Sequence, residues 1–162
     1  MNNNMKFIKI SISGILTLAW TGIIFSFSRQ PATKSNRVSG GLLKRILDIF
    51  YDFTGILVDQ SKFINLFRKF AHYTEFFILG IFAVLFFIIL KDDNAKKDDV
   101  KPYLFAMGYA VLIAVCDETV QFFTGAGRAM RVTDMLIDSF GAFTSLLIIW
   151  AINNRRAGKR AL

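Results

Sequence analysis

Cysteine and histidine each occur once in this 162-residue sequence, and acidic residues number only 12 against 20 Lys and Arg. Cys116, alone inside an apolar run, excludes a disulfide framework and a cysteine metal cluster. With one histidine, His72, any metal would lean on carboxylates; no metal centre is assigned and no cofactor is expected. The sequence has no nucleophile elbow, no phosphate-binding glycine loop and no HExxH, which removes the commonest hydrolase, nucleotide-binding and zinc-protease signatures. No inverted repeat and no span with polar residues at its midplane occurs, which counts against a channel or transporter. Lys6 and Lys9 precede an apolar stretch as in a signal peptide. However, Ile10 to Ser28 is 19 residues without a charge, and no clear small-x-small cleavage site follows, so a retained helix is expected.

What is abundant is hydrocarbon. Hydrophobic residues make up 54% of the chain and phenylalanine occurs 18 times, with a mean hydropathy of +0.45. These residues gather into four runs, at about 7–27, 70–90, 102–123 and 134–152, each near the ~20 residues that cross hydrocarbon. The expected fold is therefore all-α, a single integral membrane domain over 1–162 built as a bundle of four transmembrane helices. The net charge of +8 sits at the ends of these runs and on the tail, where anionic lipid headgroups attract it, so lipids rather than nucleic acid are the expected partners. The 20 cations divide ten and ten between the two sides of such a bundle. Short loops and span flanks carry the greater weight, which favours cytoplasmic termini in a multi-pass protein of the cell membrane.

The last three spans have short uncharged cores: Phe76–Leu90, Pro102–Cys116 and Ser139–Asn154 hold 15, 15 and 16 residues. At about 1.5 Å per residue each covers only about 22–24 Å, so polar residues are drawn toward the membrane. Those residues fall at one end. Ser28, Arg29 and Gln30 close span one, while Arg68, Lys69, His72 and Glu75 open span two. Asp117, Glu118 and Gln121 close span three, and Asp134 and Asp138 open span four. The short loop between the last two spans adds Gly125, Gly127, Arg128 and Arg131. Arg68, His72 and Glu75 share a helix face, as do Glu118 with Gln121 and Asp134 with Asp138. Ionisable groups inside a membrane are costly and mark function by default. The bland alternatives are an N-cap role for Asp134, headgroup exposure, and ion pairs that only staple helices. Asp117 is set aside, since Glu118 shares its face with Gln121 and the two neighbours point about 100° apart.

Between spans one and two, residues 29–41 read as a loop, with Pro31 and the Gly40–Gly41 pair. An amphipathic helix is expected at about 41–58, with Leu42, Ile46, Ile49, Phe50, Phe53 and Leu57 on one stripe. It either lies in the membrane interface or packs over the bundle, and in both cases it roofs the polar cluster. A short piece from Phe63 to Phe67 leads into span two. No strong small-xxx-small face stands out, and Gly108 and Gly141 look isolated; the oligomeric state stays open.

With those residues in place the chain resembles the VanZ-like family of bacterial membrane proteins, from about Phe25 to Gly141. The resemblance is carried by "FSFSRQ" at 25–30, "RKFAHYTEF" at 68–76, and "DETVQFF" followed by "GRAMRVTDMLIDSFG" ending at Gly141. Two departures stand out: Phe76 replaces a frequent tyrosine, and "GAGR" at 125–128 lacks the family's proline and is one residue longer. The resemblance implies a role at the cell envelope, the namesake being associated with tolerance to the glycopeptide teicoplanin. The ligand set then comprises Gln30, Arg68, Lys69, His72, Glu75, Glu118, Gln121, Arg128, Asp134 and Asp138, gripping an anionic envelope group, such as a lipid-linked cell-wall component, or a glycopeptide. Two other functions stay open. One is a membrane enzyme on a lipid-linked substrate, with His72, Glu75 and Glu118 as acid–base candidates and Ser28 as a nucleophile. The other is an accessory membrane protein in which the cluster is purely structural.

Overall fold

A computed structural model of the chain describes residues 3–91, 99–124 and 130–158. Among them are five helices and no strand: α1 (Asn3–Ser28), α2 (Ala32–Thr54), α3 (Gln60–Leu90), α4 (Lys101–Phe123) and α5 (Val132–Gly158). Four of these, α1, α3, α4 and α5, are long and apolar enough to cross a membrane. Their outer faces carry large apolar side chains, among them Phe7, Ile15, Leu18, Leu104, Phe105, Leu112 and Phe140. In water such a surface would be a liability; in hydrocarbon it is the expected exterior of a multi-pass bundle.

The inward faces are narrow stripes of small or polar residues. On α1, Ser13, Thr17, Thr21, Ile24 and Ser28 recur at helical spacing and are buried. The hydroxyls are satisfied locally: Thr17 donates to the Ser13 carbonyl at 2.8 Å and Thr21 to that of Thr17 at 2.9 Å. Thr21 also meets the Tyr109 hydroxyl of α4 at 2.8 Å. On α4 the buried stripe is Pro102, Ala106, Ala110, Ile113, Ala114, Asp117, Glu118 and Gln121. Its alanines, each four apart, form a small-residue face that lets helices approach, where the sequence reading expects no strong face of that kind.

The closest approach is between α3 and α5. A methyl group on Gly141 would collide with the backbone carbonyl of Tyr73 and lie 3.2 Å from the Phe77 nitrogen. One on Gly80 would meet Ser145 and lie 3.0 Å from the Cα of Ala142. Gly141 is thus not isolated: it is where two backbones touch. Ile24, Phe76, Leu79, Ala110, Ile113, Ala114 and Ala142 pack as one buried cluster beside it. Ala83, Val84, Ala106 and Leu146 form a second.

Two boundaries differ from the sequence expectation. The helix expected at 41–58 begins at Ala32 and ends at Thr54, so most of the expected loop is helical. Pro31 stands immediately before the helix, where its missing N–H costs nothing. Gly40 lies within the helix, and the Gln60 amide of α3 donates to its carbonyl at 2.7 Å. Gly55, at φ 68°, closes α2 in the left-handed region, its N–H bonding the Tyr51 carbonyl at 2.7 Å. The second span likewise starts earlier than 70. Asp59 caps α3 by accepting from the Ser61 N–H at 2.9 Å and the Ser61 hydroxyl at 2.7 Å, which holds its carboxyl below the usual range. The 31 residues of α3 measure about 46 Å, well beyond a hydrocarbon core of about 30 Å.

Candidate functional site

The end of α1, the first half of α3, the end of α4 and the start of α5 meet at one end of the bundle, as the polar residues at the span ends require. Ser28, at the last residue of α1, is buried; it donates to the Ile24 carbonyl at 3.0 Å and to an oxygen of Asp117. The other oxygen of Asp117 accepts from the Gln121 amide at 2.7 Å, one turn along α4. Glu118 is buried beside it and accepts from the backbone N–H of Arg131 at 2.8 Å, which ties the start of α5 to α4. Asp138, nearly two turns into α5, is fully buried, and its Oδ1 lies 3.6 Å from His72 Nδ1 on α3. At that distance the contact is electrostatic rather than a hydrogen bond. Ser28, His72, Asp117, Glu118, Gln121 and Asp138 therefore form one polar layer joining all four long helices.

Asp117 is the correction here. It is not a bystander: it is 1% exposed and bonded to both Ser28 and Gln121. The inward face of α4 is centred between Asp117 and Glu118, so both neighbours reach the interior from opposite sides of it. The i, i+4 spacing of Asp117 and Gln121 carried that signal as well as the i, i+3 spacing of Glu118 did. Ser28, at the last residue of α1, is likewise buried, which its place one residue before the expected loop does not signal.

Above this layer opens a cleft of about 340 Å³ between the end of α1, α2 and α3. Its lining is mixed: Gln30, Lys34, Arg68, His72 and Glu75 are polar, and Phe27, Val38, Leu42 and Phe67 are apolar. Trp20 of α1 ties to α3 at Glu75, its indole N–H donating to the Glu75 carbonyl at 2.8 Å while its ring meets Phe82 edge-on. Of the expected ligand set, Gln30, Arg68, His72 and Glu75 line this cleft, and Glu118, Gln121 and Asp138 lie in the buried layer. Lys69 is exposed and lines neither. Asp134 is half-buried in the first turn of α5, its nearest side-chain partner being Thr133 at 3.4 Å. Arg128, with the loop glycines Gly125 and Gly127, lies outside the described residues.

The family profile described as VanZ/LLP1 matches residues 14–153. No curated protein and no solved structure matches the chain. The match spans most of the sequence and takes in every helix of the bundle, and the chain belongs to the VanZ/LLP1 family.

Proposed function

We propose that this VanZ/LLP1 protein acts at the outer face of a bacterial cell membrane, where its cleft binds an anionic group of a lipid-linked envelope component and lowers susceptibility to teicoplanin-type glycopeptides. The observation that carries this is the mixed polar and apolar lining of the cleft between α1, α2 and α3. Arg68 and Lys34 offer charge-assisted donors to a phosphate or carboxylate, and Phe27, Val38, Leu42 and Phe67 offer apolar contacts to the chain attached to it. A pocket of this size accommodates a headgroup and the first carbons of its tail.

The exposed side of α2 supports the same view. Val38, Leu42, Ile46, Ile49, Phe50 and Phe53 are all exposed, while Leu43 faces inward. An apolar stripe left open on one helix suits burial in the headgroup boundary, with Lys44 and Arg45 toward anionic lipid. In that position α2 forms the lateral wall through which a lipid-linked group enters, and both chain termini are cytoplasmic.

The test has two arms. Wild type, Arg68→Gln and Glu118→Gln are expressed in a Gram-positive host at matched membrane levels, and teicoplanin susceptibility is measured. The same proteins in nanodiscs are titrated with a polyprenyl phosphate. Wild type is expected to protect, and Arg68→Gln to weaken phosphate binding about tenfold, the loss of one charge-assisted contact. An abundant wild type that neither protects nor binds the phosphate would sink the proposal.

A further inference from the structure

We propose that His72, Asp117 and Asp138 form a binding site for one divalent first-row metal ion, of the zinc or manganese kind. One ligand atom from each of these side chains falls within 4.8 Å of the other two, drawn from three different helices: α3, α4 and α5.

The observation that points to a ligand is Asp138. Its side chain is 0% exposed, and neither carboxylate oxygen has a hydrogen-bond partner among the described residues. A buried carboxylate in that state is costly, and such groups are paired or coordinate metals. Among the described residues its ion-pair partner is His72 Nδ1 at 3.6 Å, too long for a hydrogen bond. It is, however, close to the separation of two ligands around a tetrahedral ion: bonds of about 2.0–2.2 Å put neighbouring donor atoms about 3.4 Å apart. The spacing that makes a poor ion pair is the spacing a metal needs.

The third ligand is oriented as ligands at metal sites are. Asp117 is held by the Ser28 hydroxyl on one oxygen and by the Gln121 amide, at 2.7 Å, on the other. Each carboxylate oxygen has two acceptor positions, so these bonds fix the group's direction. Outer partners of this type position metal ligands and tune them. One imidazole nitrogen with two carboxylates suits zinc or manganese better than calcium, which prefers six or more oxygens. Three protein ligands leave a position for water or for an oxygen of a bound molecule, and His72 also lines the cleft.

The experiment uses full-length protein without a histidine tag, in nanodiscs, dialysed against chelator and then titrated with Zn²⁺ and Mn²⁺. Bound metal is counted by elemental analysis and affinity is read by calorimetry. Wild type is expected to take up one ion per chain. Asp138→Asn and His72→Gln are expected to lose that uptake, and Ser28→Ala to weaken it about tenfold. Where a variant does not fold, wild type loaded with Co²⁺ serves instead. Visible d–d bands of a site with nitrogen and oxygen ligands are expected, and a spectrum of hexa-aquo cobalt overturns the proposal. Folded wild type that takes up no stoichiometric ion, or variants that keep it unchanged, overturn it equally. Neither readout involves the cleft's ligand, so the metal site and the anion-binding function stand or fall separately.

Discussion

The two ends of the bundle are built from the same four helices and solve opposite problems. At the end where α1 begins and α5 ends, Ala83, Val84, Ala106 and Leu146 form the buried cluster, the buried Ser13 and Thr17 hydroxyls bond their own helix, and no carboxylate is buried among the described residues. There Lys6 donates to the Lys91 carbonyl at 3.1 Å, Lys91 pairs with Asp99 at 3.8 Å, and Asn153 donates to the Tyr103 hydroxyl at 2.9 Å. At the other end Ser28, Asp117, Glu118, Gln121 and Asp138 are all buried. A staple needs only marginal contacts of the first kind, since side chains near span ends reach headgroups and water at little cost. Carboxylates drawn inside are expensive, and among the described residues the buried ones are confined to one end.

The sharpest way to break this comparison is to place a carboxylate at the wrong end. Ala83→Asp is expected to destabilise the bundle by about 3 kcal/mol or more, seen as loss of folded protein in a detergent melt. Tolerance of that change would mean that buried charge carries no information here. Next in size is Gly141→Ala, whose methyl group must displace the Tyr73 backbone; a loss of about 2 kcal/mol is expected in the same assay. Gly108→Ala is its control: nothing lies within 4 Å of the added carbon, so it should be neutral or slightly stabilising. The smallest effect belongs to the cap of α3. Asp59 has a lowered folded-state pKa, so its contribution is present above the unfolded value of about 4 and is lost as pH falls through the folded value. Asp59→Ala should raise amide exchange in the first turn of α3 at pH 7 and make no difference at pH 2.

The four spans and the one-sided placement of their ionisable residues were legible because both depend on hydropathy and chain direction alone. The choice between Asp117 and Glu118 depends on the rotation of α4 about its axis. That rotation is set by where Ala106, Ala110 and Ala114 pack, which is a property of the assembled bundle. The start of α2 misled for a related reason. Gly40 and Gly41 read as a break, yet Gly40 continues a helix where Gln60 reaches its carbonyl, 20 residues away in sequence. The pairing of Gly80 and Gly141 with the opposite helix likewise joins positions too far apart for local spacing to reveal.

Trp20 gives this molecule a built-in optical reporter. The chain has two tryptophans. Trp150 is 46% exposed near the far end of α5, whereas Trp20 is hydrogen-bonded to the backbone of Glu75, a residue of the cleft wall. An indole whose N–H is fixed to that carbonyl registers any displacement there as a change in its emission. With Trp150 replaced by phenylalanine, the fluorescence of the chain becomes a single-site readout of the helix backbone at Glu75, with no dye attached.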